Sequence, residues 1–212
     1  MKISVNEFMT LDGVIQGPGG PDEDTSGGFA HGGWLMPYAT DEAFGEIVEG
    51  WFEQCDELLL GRSTYQMMQP YWSRVETDDV TAVTLNHGRK HVLSRTLTPE
   101  NATWEGTRLI RDLDAVRELK SSPGGELQVH GSAQLARTLH EAGLVDVYRF
   151  LIAPVVVGSG KRLFGTDGPP SGFRILQQRV LPSGLCALSL APEPLAVASA
   201  AVEDGRDTVV SV

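Results

Sequence analysis

The chain has 212 residues, a length that suits one domain with an enclosed core. Its 41% apolar and 21% charged residues are globular proportions, and 28 acidic against 17 basic side chains leave a net charge of −11. That balance argues against nucleic acid and against a polybasic membrane contact as the main partner, while a local basic pocket for a phosphorylated small molecule stays open.

Cys55 and Cys186 are too few for a disulfide framework or a cysteine zinc site and read as reduced core residues. No stretch approaches the roughly 18 apolar residues of a membrane span. The opening MKISVNEF lacks the apolar run of a signal peptide, so the expected setting is the cytoplasm.

Apolar alternation over residues 3–9 predicts a strand that ends at the turn Asp12-Gly13. Residues 17–38 are rich in glycine and carry Pro18, Pro21 and Pro37; a connection of that length reads as a binding loop or lid. Phe44, Ile47, Val48, Trp51, Phe52 and Cys55 then repeat at helical spacing, with Thr40 as the expected cap. Short apolar runs at 57–60, 91–93, 108–110 and 127–130 predict further strands. A weaker helix falls at 80–86, and two more follow the caps Asp112 and Ser132, the second stopped by Gly143. Residues 145–157 read as one long strand bent at Pro154. Runs 173–180 and 185–190 flank Pro182-Ser183-Gly184, a hairpin signal. Helices alternating with strands before a closing hairpin predict an α/β fold, a central mixed and mostly parallel sheet covered on both faces. Residues 192–212 form a tail that is either disordered or docks as an extra strand.

Several chemistries are excluded by pattern. No G-x-G-x-x-G follows a strand, and Gly158-Ser159-Gly160-Lys161 lacks the flanking residues of a phosphate-binding Walker loop and reads as a turn. The five histidines show no metal-ligand spacing, so no metal site is expected, and no G-x-S-x-G elbow is present. What remains is a pair of strand–glycine–hydroxyl–helix junctions, Gly61-Arg62-Ser63-Thr64 and Gly131-Ser132-Ala133-Gln134. Helix N-termini present unpaired amides and partial positive charge, and glycine lets a phosphate approach the backbone. Together the two junctions could clamp the ends of a dinucleotide.

The ordered set Thr10-Leu11-Asp12-Gly13-Val14-Ile15, Gly61-Arg62-Ser63-Thr64-Tyr65, His91-Val92-Leu93-Ser94-Arg95-Thr96-Leu97 and His130-Gly131-Ser132-Ala133 resembles dihydrofolate-reductase-like proteins. The likeness is greatest to the branch similar to the C-terminal reductase domain of bacterial riboflavin biosynthesis, and it covers residues 1–191 as one reductase domain. The resemblance implies a three-layer fold with a mostly parallel sheet, NADPH as hydride donor, and a small-molecule substrate beside the nicotinamide. It implies that Val14 and Ile15 flank the nicotinamide and that Gly61, Arg62, Ser63 and Thr64 meet phosphates. Leu93, Ser94 and Arg95 would lie at the adenosine end, and Gly131, Ser132, Ala133 and Gln134 would hold the pyrophosphate. Arginine suits a dianionic 2′-phosphate, which singles out Arg62 and Arg95.

Folate reductases carry a carboxylate near the start of the first long helix. Here Glu46 falls opposite the apolar stripe, so Asp41 is the catalytic candidate. Asp12, Trp34 and Tyr38 are the candidate substrate contacts. The expected activity is NADPH-dependent reduction of a C=N or C=O bond in a pteridine- or ribitylaminopyrimidine-like heterocycle. The alternatives are dihydrofolate reduction proper or a nucleotide-binding dimer without turnover. Apolar character at 145–157 and in the tail leads to the expectation of a homodimer.

Overall fold

In the computed structural model, which describes residues 1–165, 168–203 and 206–211, the alternation of residues 3–9 forms β1 (Lys2–Thr10), placed near the middle of an eight-stranded sheet. Its neighbours come from far along the chain. β1 runs parallel to β5 (Glu126–His130) on one side and to β6 (Val147–Ala153) on the other, so Asn6 stands opposite both His130 and Arg149. Outward from β5 follow β2 (Cys55–Gly61), β3 (Arg89–Leu93) and β4 (Thr107–Ile110), all parallel. Outward from β6 the direction reverses at β8 (Cys186–Glu193) and again at β7 (Gly172–Val180), the closing hairpin. The expected mixed, mostly parallel sheet is therefore present.

Helices cover both faces. α1 (Glu42–Phe52), α2 (Arg62–Trp72) and α3 (Val80–His87) pack on one, where Trp51, Phe52, Tyr65 and Leu85 are buried. α4 (Leu113–Ser121) and α5 (Ala133–Glu141) pack on the other through Val116, Leu135 and Leu139, against Ile3, Val5, Leu127 and Val129. Alternation along β1 and β5 decides which residues meet which helices.

Three local expectations are corrected. The cap of α1 is Asp41, not Thr40, because its Oδ1 accepts the Phe44 amide at 2.8 Å. β6 stops at Ala153, since Pro154 lacks the amide a sheet ladder needs, and residues 154–157 leave the strand. The tail adds no extra strand to the main sheet and does not stay irregular: Pro192 and Glu193 finish β8, while β9 (Ala198–Glu203) and β10 (Arg206–Ser211) make a separate two-stranded hairpin. Cys55 and Cys186 are unbridged and half-buried. Among the described residues no helix is long and apolar enough to cross a membrane.

Candidate functional site

Because β1, β2, β3, β5 and β6 are parallel, their C-terminal ends share one edge of the sheet, where ligands of open α/β sheets bind. That edge gathers the turn after Thr10, the Gly61 and Gly131 junctions and the loop after Leu93.

The two glycine junctions are locked together. A Cβ at Gly61 would stand 2.4 Å from Ser132 Oγ and 2.9 Å from Ser132 Cβ, so only glycine admits this approach. Gly131 has a φ of 72°, and a Cβ there would meet the Thr64 methyl at 3.3 Å. Ser132, also at φ 72°, is the one non-glycine residue with positive φ among the described residues. Its hydroxyl accepts the Leu135 amide at 3.4 Å, capping α5 and leaving the first-turn amides of Ala133 and Gln134 without intrahelical partners. Strain at such a residue persists where the surroundings over-determine it, and here Gly61 and Thr64 do so.

Gly61 pairs in register with Leu93, which brings the two arginine-bearing turns to neighbouring strand ends. Arg62 opens α2 and Arg95 follows buried Ser94; both are exposed, and neither has an ion-pair partner among the described residues. Ser94 accepts the amides of Thr96 and Leu97 at 3.2 and 2.9 Å, and Arg111 donates to the carbonyls of Ser94 and Leu97 at 2.6 and 3.0 Å. The loop that displays Arg95 is thus rigid. Ser63 is exposed and Thr64 buried. Val14 and Ile15 are both buried beside the end of β1, where Val14 bridges to Arg162.

The expected substrate and catalytic contacts fare differently. Asp41 is turned to the fold. Besides capping α1, its Oδ2 accepts the Ser183 amide at 2.9 Å, tying the helix to the β7–β8 turn. The Ser183 contacts, with the Phe44 amide, hold its carboxyl below the ordinary range, so it is no proton donor near neutrality. Glu46 is exposed and lies 3.5 Å from Arg179. Asp12 is likewise taken up by the chain. It accepts the Thr10 hydroxyl at 2.7 Å, the Gly158 amide at 2.9 Å and Arg162 at 3.2 Å. Partial burial opposes its charge, but the Thr10 hydroxyl and the backbone amides of Gly158 and Val157 outweigh that and hold its pKa low. Trp34 is buried with its indole N–H donating to the Gln16 carbonyl at 2.8 Å, which makes it core rather than a stacking platform. Tyr38 is half-buried against the same cluster.

A group absent from those expectations lies under α1. On the face of β1, β5 and β6 toward that helix, Ser4, Asn6, Glu126, Gln128 and Arg149 are buried. Arg149 grips Glu126 with two bonds of 2.6 and 2.9 Å; Ser4 and Gln128 donate to the same carboxylate at 2.8 and 2.6 Å, and Arg149 also donates to Asn6 and Gln54. Burial raises the cost of the Glu126 charge, but Arg149, Ser4 and Gln128 more than offset it and its pKa falls. The chain of bonds ends at half-buried His130, whose Nε2 lies 2.8 Å from Gln128 Oε1 and whose ring stacks on Phe52 at 4.4 Å. The signal was in the sequence: polar Ser4, Asn6, Gln128 and His130 alternate with apolar residues in two strands that the covered sheet buries on both faces.

Surface hollows of about 270 Å³ near His140 and Phe173 and about 440 Å³ near Asn86 and Trp104 lie away from these strand ends. Among the described residues no cluster of three metal-ligating side chains is present.

The fold is dihydrofolate-reductase-like. The dihydrofolate reductase of Enterococcus faecalis, solved with NADP(H), superposes with a TM-score of 0.58 at 13% identity, covering 90% of this chain and 96% of that one. A putative riboflavin biosynthesis protein from Shewanella sp. PV-4 does so with a TM-score of 0.66 at 20% identity, covering 91% and 99%. The chain belongs to the RibD C-terminal domain family, a family of reductases, whose model matches residues 1–187. It is also 29% identical over 189 residues to the uncharacterized protein YyaP of Bacillus subtilis, 87% of this chain and 91% of that one. The β9–β10 hairpin lies beyond the family match.

Proposed function

We propose that this chain is an NADPH-dependent reductase of a C=N or C=O bond in a small heterocycle, pteridine-like or ribitylaminopyrimidine-like. The observation that carries the reading is the pair of interlocked glycine junctions, with Arg62 and Arg95 exposed on neighbouring strand ends. The residues present fit such a dinucleotide. The α5 N-terminus offers amides to a pyrophosphate, and two arginines without carboxylate partners among the described residues suit a terminal phosphate dianion. When bound, the nicotinamide supplies hydride. The chain's own part is to fix the ring edge with buried Val14 and Ile15, hold the phosphates, and exclude water from the reacting atoms.

Dihydrofolate is a poor substrate in this reading, because it needs an acid on the first long helix. Asp41 is engaged by Ser183 and Glu46 faces solvent. A homodimer is part of the same proposal, supported by Ile175, Leu176 and Val180 exposed on edge strand β7. Titration of the wild type and Arg62→Ala with NADPH and NADH is the direct test. The wild type should favour NADPH, and the variant should lose about 1.5–3 kcal/mol for NADPH alone. Equal wild-type affinities would refute the 2′-phosphate assignment.

A further inference from the structure

His130 closes β5 one residue before the Gly131–Ser132 junction, on the sheet face toward α1. Its hydrogen-bond state follows from the groups behind it. Glu126, held by Arg149, can only accept. The Gln128 amide nitrogen donates to Glu126 Oε1 and to the Trp51 carbonyl, both at 2.6 Å, and these two acceptors fix which end of the amide is which. Gln128 Oε1 therefore faces His130 as an acceptor, so the proton of the imidazole resides on Nε2. Nδ1 is left as a bare lone pair, without a partner among the described residues and not enclosed as a buried unpaired atom. Burial, and secondarily Arg149, push the ring's pKa down to about 3, which keeps it neutral.

We propose that His130 is a substrate-binding residue whose Nδ1 accepts a hydrogen bond, selecting heterocycles that present an N–H or O–H donor beside the reducible bond. This rests on the reductase reading for the place of the substrate, but the state of the ring does not. A site built to pair a donor rejects the analogue lacking it far more strongly than an apolar pocket does. The ring cannot serve as the proton donor of the reduction, so that proton comes from elsewhere. The Ser4–Glu126–Arg149–Gln128 chain is the positioning group: it sets the tautomer without touching substrate.

The test uses full-length protein labelled with ¹⁵N-histidine, with and without NADPH. Spectra from pH 5 to 8 should show His130 neutral throughout with its proton on Nε2. Gln128→Met, close in volume, should turn this into a mixture of tautomers. The probes are 6-aminouracil and its fully N-methylated counterpart, which has no donors. The first should shift the His130 Nδ1 resonance and bind at least tenfold more tightly than the second, and His130→Phe should erase that difference. A proton on Nδ1, an imidazolium at pH 7, or failure of the donor-bearing probe to move Nδ1 or outbind its counterpart would each overturn the proposal. Failure to bind NADPH with the tautomer as stated would instead count against the reductase reading.

Discussion

The two faces of the central strands bury the same kind of group in opposite ways. Toward α1, Glu126 is charged and answered by Arg149, Ser4 and Gln128. Toward the α4–α5 face, Glu7 follows Ile3 and Val5 into an apolar cluster, with Oε1 unpartnered among the described residues. Burial, against one amide bond from Gly131, lifts its pKa to about 8, so at neutral pH it is a neutral acid. A carboxyl in a protein interior keeps its charge only where a cation and donors are supplied with it. The face that supplies them is the one that leads to His130.

The largest test of this contrast is Glu126→Gln. It strands the Arg149 charge and should cost about 3–5 kcal/mol, read from urea midpoints, whereas Glu126→Leu with Arg149→Met should recover most of that loss. A cost near zero for the single variant would mean that the network is not the buried ion pair described.

Next comes pH. The folded state holds a proton on Glu7 up to about pH 8, but the unfolded chain loses it near 4.5. Its contribution is full below 4.5, and between these values stability falls by about 1.4 kcal/mol per pH unit. His130 has the reverse sign: it is kept neutral when folded, while the unfolded ring takes up a proton below about 6.5. Stability should therefore rise with pH by a similar slope between about 3 and 6.5. The two cancel between about 4.5 and 6.5, leaving a decline from 6.5 to 8 that belongs to Glu7. Glu7→Gln should abolish that decline and uncover the His130 rise. An unchanged profile would place Glu7 outside the core. Smallest is Ser4→Ala, which removes one of several donors to Glu126 and should cost about 1–2 kcal/mol by the same midpoints.

Much of the architecture could be read from alternation and caps. The strand runs, the helix over the Trp51 stripe and the caps Asp112 and Ser132 all appear in the fold, because each is decided within a few residues. The glycine junctions were legible too, as residue types at strand ends. Their interlock was not, since Gly61 and Ser132 are 71 positions apart and meet only because β5 inserts beside β2. Distance also explains the misplaced acids. The sequence suggests Asp41 for the first turn of α1, but nothing local announces that the Ser183 amide, from the far hairpin, will claim it. Trp34 and Asp12 were lost to the Gln16 carbonyl and the Gly158 turn in the same way. The Glu126 network went unread because its members lie on three strands and connect across the sheet.

The place of β1 bears on how the molecule is made. Lys2 must meet Glu126, and Thr10 must meet Ala153. At ribosomal speeds the first strand to emerge waits roughly 7–30 s for its second flanking neighbour. Pairings of that sequence separation make for slow closure, and a nine-residue strand carrying Ile3, Val5, Phe8 and Met9 has both edges open before β5 emerges and one edge open before β6 does. Buried Ser4, Asn6 and Glu7 interrupt that strand with groups that are costly to bury unpaired, so the residues that later build the polar face also make the waiting strand a poor template for another chain.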